Sequence, residues 1–328
     1  MDFHEFPLAF TDKILTMKQK NQTVFTEFYL LGFSLSTQAS YCLFAIVLII
    51  YIVTVAANIF IIVIVITDQH LHKPMYFFIG GLSFIEIWYP SVTVPRLLWF
   101  LLTREKSISI VGCMAQFYFH FSLGTTESFL LTVMSYDRYV AICKPLHYVT
   151  ILNSKTSVRL LLGCWAGGFF IIVILCLQVS NLSFCAENVL DHYYCDFAPL
   201  IKLSCSDTWG LEILFFVSAC FIILGCFLLI VISYIYIIQT TMSFPTSIGR
   251  YKTFSTCASH LIVVCLFYLT NIFMFVRTNT GYFLHLNKTV SIIPSVVTPL
   301  LNPIIYTLRN KEVKKAVKKT IQKATHKK

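Results

Sequence analysis

The sequence predicts an all-α membrane protein: a bundle of seven transmembrane helices with a short amphipathic cytoplasmic eighth helix. Three observations predict it. The first is composition: 57% of the 328 residues are hydrophobic and only 12% are charged, with a mean hydropathy of +0.76, whereas soluble domains carry about 25% charged residues. The second is that seven apolar segments reach the ~20 residues a helix needs to cross the hydrocarbon core. The third is charge: the loops alternate between a basic and an acidic side. The 30 Phe and 17 Tyr suit a bundle interior and two interfaces. The net charge of +10 does not point to nucleic acid, because the bases lie in short loops and the C-terminal tail rather than on a globular domain.

Residues 1–40 are expected to be an extracellular N-terminal segment. They scatter Asp2, Glu5, Asp12 and Glu27 among apolar residues, without the basic, apolar, small-residue order of a cleavable signal. The first span then serves as its own insertion signal. Met17, followed by Lys-Gln-Lys-Asn-Gln-Thr, is an alternative start that would make residues 1–16 a dispensable extension. The bundle covers 41–308, with spans at Tyr41–Ile66, Met75–Trp99, Ile110–Tyr139, Val158–Val179, Leu211–Ile238, Thr253–Val276 and Thr289–Leu308. Pro74 opens the second, and Pro90 and Pro95 bend it. Pro294, Pro299 and Pro303 break the seventh and free carbonyls that neighbouring helices must satisfy.

With the N-terminus outside, the inner side carries Lys73, Arg138, Lys144, Lys155, Arg159, Arg250, Lys252 and the basic tail 309–328. Its acids are only Asp68, Asp137 and Glu312, whereas the outer side holds Glu105, Glu187, Asp191, Asp196, Asp207 and Glu212. The asymmetry places the N-terminus outside. Asn21-Gln-Thr23 is then a glycosylation sequon on the correct side, and Asn181-Leu-Ser183 and Asn287-Lys-Thr289 match close to helix ends. Of 12 cysteines, Cys113, Cys185, Cys195 and Cys205 fall outside, where disulfides persist, and allow three pairings. His192-Tyr-Tyr-Cys195 has half the ligands of a metal site, and two disulfides are the simpler reading; no metal and no cofactor are expected. In the tail, Val313, Ala316, Val317, Thr320, Ile321 and Ala324 share one helical face. Lys311, Lys314, Lys315, Lys318, Lys319 and Lys323 cover the rest, as in a helix lying on the anionic inner leaflet.

The third span ends on Asp137-Arg138-Tyr139, a charge pair where a helix leaves lipid. Seven spans, an outer N-terminus and this triplet resemble a rhodopsin-like G-protein-coupled receptor. Further motifs narrow the resemblance to the olfactory receptors. They are Pro74-Met-Tyr-Phe-Phe78, Met134-Ser-Tyr-Asp-Arg-Tyr-Val-Ala-Ile-Cys-Lys-Pro-Leu-His-Tyr148, Ser233-Tyr234, Lys252-Thr-Phe-Ser-Thr-Cys-Ala-Ser-His260 and Pro299-Leu-Leu-Asn-Pro-Ile-Ile-Tyr306. The resemblance covers roughly residues 20–315, and several motifs in the right order are more specific than any one.

The resemblance implies a plasma-membrane receptor that binds a small volatile odorant between the outer halves of its helices. It implies a heterotrimeric stimulatory G protein as partner at the inner face, with cAMP as output. Asp137 would hold Arg138 at rest and release it towards Tyr234 and Tyr306, with Asn302 and Pro303 supplying a kinked seventh helix with a polar inner end. It also implies disulfides pairing Cys113 with Cys195 and Cys185 with Cys205. The odorant pocket would be lined by His120, Phe121, Gly124 and Thr125 from the third span and by Ser218 and Ile222 from the fifth. Tyr268, Asn271, Ile272 and Phe275 would line it from the sixth and Ser295 from the seventh, where Pro294 disturbs the local backbone. Gly124 removes side-chain volume where a ligand fits.

Glu86 and Glu127 lie mid-span, and intramembrane carboxylates mark functional sites. By resemblance they form a polar pair, with Asn58 as neighbour, that holds a cation or a proton, since two close carboxylates cannot both stay ionised unpaired. Glu86 departs from the usual Asp by one methylene, and Leu269 stands where the family often has Gly. His120 lies seven residues before Glu127 on the same helix face, and roughly 27 Å from Arg138 by helix rise. The runner-up class is a channel or transporter, but the sequence shows no inverted repeat, charge ring or matched pair of broken helices. An enzyme is not expected: there is no His-Glu metal motif, Gly-Lys-Ser/Thr loop or Gly-x-Ser-x-Gly elbow.

Overall fold

The computed structural model describes residues 26–184, 188–276, 288–309 and 311–325. Helices dominate it, and their starts follow from capping chemistry. Helix α1, Thr37–Thr67, begins where the Ser36 Oγ accepts the Ala39 N–H at 3.3 Å. Helix α2, Pro74–Thr103, opens on a proline whose missing N–H costs nothing at that position. It runs on through Pro90 and Pro95. Helix α3, Ile110–Cys143, is capped by Ser109 on Gly112 N, and α4, Ser154–Ser180, by Asn153 on Thr156 N. Helix α5 spans Trp209–Met242 and α6 spans Ser247–Val276. The seventh segment, helical from Lys288, passes through a π-helical turn, Ile293–Val297, and continues as α7, Thr298–Arg309. Helix α8, Lys311–Thr325, follows directly and buries Val313 and Ala316, with Val317 packed beside them against the bundle core. Its lysine Lys319 reaches Asp68 at 3.7 Å, where hydrogen bonds from His70 hold the carboxyl below its usual range.

Among the described residues six helices are long and apolar enough to cross a membrane by length and composition, and α3, the further helix of the bundle, is more polar than these. Helix α3 carries Gln116, His120, Glu127, Asp137 and a run of Ser and Thr because it lies at the centre, packed against α2, α4, α5 and α6. Its polar groups face protein rather than lipid, so it needs less hydrophobicity. The lipid-facing helices show the opposite pattern, with Phe170 and Phe221 among the most exposed apolar side chains. Close approach makes the α3–α4 seam: Thr126 and the Ser122 carbonyl fill the space beside Gly168.

At one end of the bundle a small sheet forms a cap that hydropathy did not foreshadow. Strand β1, Glu27–Leu30, pairs antiparallel with β2, Ser107–Ser109, and parallel with β3, Val189–Leu190. Phe28 and Leu30 are buried and alternate with exposed Glu27 and Tyr29. A short helix, Phe197–Lys202, completes the cap. The Cys113–Cys195 disulfide ties it to the start of α3. Cys205 is also disulfide-bonded, while Cys185 lies outside the described residues, as do Asn21 and Asn287. Lys288 binds the Asp191 carboxylate at 2.5 Å and the Gly32 carbonyl at 2.8 Å, joining the seventh segment to the cap. Gly32 sits at φ 58° and lies against the Phe100 ring, a conformation and a closeness that suit glycine alone.

Candidate functional site

At the end of α3 far from the cap, Arg138 Nε lies 3.8 Å from Asp137 Oδ2. The other Asp137 oxygen accepts a hydrogen bond from the Tyr148 hydroxyl at 2.8 Å. Tyr148 begins a short helical turn, Tyr148–Ile151, packed on α3, and burial together with the Asp137 charge raises its phenol above the ordinary range. Tyr234 does not touch Arg138. Its hydroxyl pairs with His260 Nδ1 at 2.8 Å, and His260 Nε2 meets the Leu131 carbonyl at 3.1 Å. A carbonyl only accepts, so Nε2 carries the hydrogen and Nδ1 accepts from Tyr234. One fully buried ring thus ties α3, α5 and α6 together. The Tyr306 hydroxyl is buried and has no partner among the described residues. Tyr139 packs against Tyr136 and Tyr236 rather than joining the charge pair, with Lys144 5.8 Å over its ring. His260 and Tyr148 close two of the sequence motifs, but their roles were not legible there, because their partners sit on other segments.

Midway along the bundle, Asn302 donates to Glu86, and Glu127 lies against Glu86 as well. All three are buried. Asn58 donates to the Thr54 carbonyl at 3.0 Å and to the Pro299 carbonyl at 3.1 Å. Pro303 has no N–H to offer the Pro299 carbonyl, so Asn58 fills the gap from the first helix. Of the polar residues singled out in the sequence, Glu86, Glu127 and Asn302 come together, while Asn58 bonds to the backbone of its own helix and of the seventh.

Towards the cap, the expected pocket residues divide. Phe121 packs on Phe117 and Phe215, and Ile222 is buried on α5, with Ser218 half-buried one turn away. Tyr268 is fully buried and donates to the Ser128 carbonyl at 3.2 Å. Asn271 donates to the Phe267 carbonyl at 2.8 Å, leaving its amide oxygen, and Ile272 is half-buried beside it. Thr125 and Ser295 are buried, the latter within the π-helical turn that starts beside Pro294. The Phe275 side chain lies outside the described residues. The space beside Gly124 is not open: a Cβ there would meet the Tyr89 ring at 3.6 Å. His120 stands between two rings, 4.8 Å from Tyr89 and 4.6 Å from Tyr194 between centroids. Tyr194 in turn meets His192 edge-on at 4.3 Å, and His192 stacks on Tyr193 at 5.0 Å. Burial pushes the His192 imidazole down to about 3, and burial likewise pushes the Asp196 carboxyl up to about 6. Sequence reasoning missed Tyr89 and Tyr194 altogether, since nothing separates them from the other aromatic residues of an apolar chain. Among the described residues no cluster of metal ligands forms, and Cys195 is taken by Cys113.

The sequence model of the olfactory receptor family matches residues 47–324. Human olfactory receptor 6F1 is 47% identical over 298 residues, which cover 91% of this chain and 97% of that protein. Human olfactory receptor 6B1 is 48% identical over 298 residues, 91% of this chain and 95% of that one. Among solved structures, squid rhodopsin superposes with a TM-score of 0.71 at 15% identity, covering 88% of this chain and 82% of its own.

Proposed function

The chain belongs to the olfactory receptor family, and from that premise we propose that it detects a small volatile odorant at the plasma membrane. It is a multi-pass membrane protein of the rhodopsin-like fold, and its relatives are receptors rather than enzymes, channels or transporters. In this reading the cap and the N-terminus face outside. The odorant occupies the half of the bundle beneath the cap, among His120, Phe121, Thr125, Ser218, Ile222, Tyr268, Asn271, Ile272, Phe275 and Ser295. A stimulatory G protein engages the opposite end and raises cAMP. The observation that carries the proposal is the resting arrangement of the α3 end: Asp137 beside Arg138, and Tyr234 withheld by His260. Activation then moves Tyr234 and Tyr306 towards Arg138 as α6 swings away, which is a two-state rearrangement a ligand can bias. Glu86 and Glu127, with Asn58 and Asn302, hold a proton or a cation between the two ends. Residues 1–40, 41–308 and 309–328 serve as outer segment, bundle and membrane-lying tail. The test is cAMP production in cells expressing the chain under a diverse odorant panel. Arg138→Ala abolishes the evoked signal while surface expression persists; a robust response that survives the substitution sinks the coupling reading.

A further inference from the structure

The odorant reading leaves the chemical class of ligand open, and the α2–α3–cap junction narrows it. Tyr89 and His120 share one hydrogen bond, hydroxyl to Nε2, at 3.3 Å. The buried Tyr89 hydroxyl has no other acceptor among the described residues, so it donates to Nε2. His120 Nδ1 therefore carries a hydrogen, and that atom is buried and has no partner among the described residues. His192 reaches the same kind of state from the other side of the cap. Its Nδ1 accepts the Tyr194 N–H at 3.4 Å, so Nε2 bears the hydrogen and is likewise buried, with no partner among the described residues. Both imidazoles touch the Tyr194 ring, and the Thr93 hydroxyl, one turn from Tyr89 on α2, is a third buried group without a partner. His120 and His192 are 6% and 2% exposed, so water does not satisfy them by surface contact.

We propose, resting on the odorant reading above, that this junction is the polar end of the pocket, built to receive a neutral carbonyl oxygen. The agonists are then aldehydes, ketones or esters whose oxygen takes the His120 Nδ1 hydrogen, with His192 Nε2 as second donor. The hydrocarbon part runs from there towards Phe121, Ile222 and Ile272, which supply apolar surface. Two N–H donors disfavour an ammonium, which has hydrogens to give and no lone pair to accept with. A carboxylate would be buried beside two imidazoles with no cation in contact, since Lys288 is spent on Asp191 and the Gly32 carbonyl.

The experiment uses the full receptor in cells, with surface staining as folding control and cAMP as readout. The probes are one carbon skeleton of six to ten carbons ending as aldehyde, ketone, methyl ester, alcohol, acid, amine or plain alkane. The carbonyl compounds are the strongest agonists. His120→Phe keeps the ring stack but loses the donor, and raises their half-maximal concentration at least about tenfold. His120→Asn, whose amide N–H can replace Nδ1–H, restores most of the response. His192→Phe shows a smaller rise of the same sign. A best agonist that is an acid overturns the assignment in favour of Arg96 on α2, whose Nη2 is also buried and unpartnered. A best agonist that is an amine or the alkane, or a His120→Phe receptor with unchanged sensitivity, overturns it too. Silence of a surface-expressed receptor towards every class is a different result, and removes the odorant reading itself.

Discussion

In the proposed switch Tyr234 has two positions: while its hydroxyl donates to His260 Nδ1, that bond holds the side chain where it lies, away from Arg138, so the histidine competes with the move towards the arginine. A buried neutral hydrogen bond contributes about 1 kcal/mol net, which is about fivefold in an equilibrium. His260→Phe is therefore expected to raise ligand-independent cAMP a few-fold at equal surface expression; an unchanged baseline removes the competition. Two groups in the cap respond to pH in opposite senses. His192 is held at about 3, below its free value near 6.5, so its contribution is present at neutral pH and is lost as pH falls below about 6.5. Asp196 is raised to about 6 from 3.8, so its contribution is present below about 4 and is lost as pH rises through 6. Asp196→Asn should raise the melting temperature of the purified receptor at pH 7.4 and give no gain at pH 4, read by thermal unfolding across a pH series. Single residues were legible in the sequence where burial is improbable for their type. Asn58, Glu86, Glu127 and Asn302 stood out as polar groups in apolar segments; the last three come together, and Asn58 ties the first helix to the Pro299 carbonyl. His192 stood out beside Cys195 for the wrong reason: once Cys195 bonds to Cys113, the imidazole is left as an aromatic neighbour of Tyr194.

Helices show why the sequence read some elements better than others. Hydropathy locates a helix by its lipid-facing side, so α1 and α5, largely exposed to lipid, are unmistakable. Helix α3 is read instead by its motifs, because its surroundings are protein. Helix ends ran beyond the apolar segments, since Ser36, Ser109 and Asn153 start their helices in polar sequence. Strands of two to four residues leave no periodic trace, so the cap sheet was not seen. The tight α3–α4 seam makes a sharp prediction. A methyl at Gly168 would lie 2.1 Å from Thr126 Oγ1 and 2.9 Å from the Ser122 carbonyl and the Thr126 nitrogen. The backbone atoms cannot rotate away, so Gly168→Ala is expected to destabilise by about 1–3 kcal/mol. Gly163→Ala, on the same helix with nothing within 4 Å, should be neutral or slightly stabilising. Thermal unfolding of the two variants side by side checks this, and equal melting temperatures would mean that the seam has slack.

On the scale of the whole molecule, the cap gathers parts that are far apart in the chain. Lys288 is a distant contributor, and its buried amine holds both Asp191 and the Gly32 carbonyl. Lys288→Met leaves both oxygens without that donor. Amide exchange at 27–32 and 188–192 should speed up severalfold, with little change at the α3 end that carries Arg138. Exchange that rises equally at both ends would mean that the lysine supports the whole bundle. The central place of β1 also has a consequence for how the protein is made. Strand β1, near the start of the chain, is paired on one side with β3, about 160 residues later. At 5–20 residues per second, that partner arrives on the order of ten to thirty seconds afterwards. The Gly32 carbonyl then waits about another hundred residues for its lysine. Cap closure therefore waits for the seventh segment: a chain truncated anywhere before residue 288 lacks the amine that joins Asp191 to the Gly32 carbonyl.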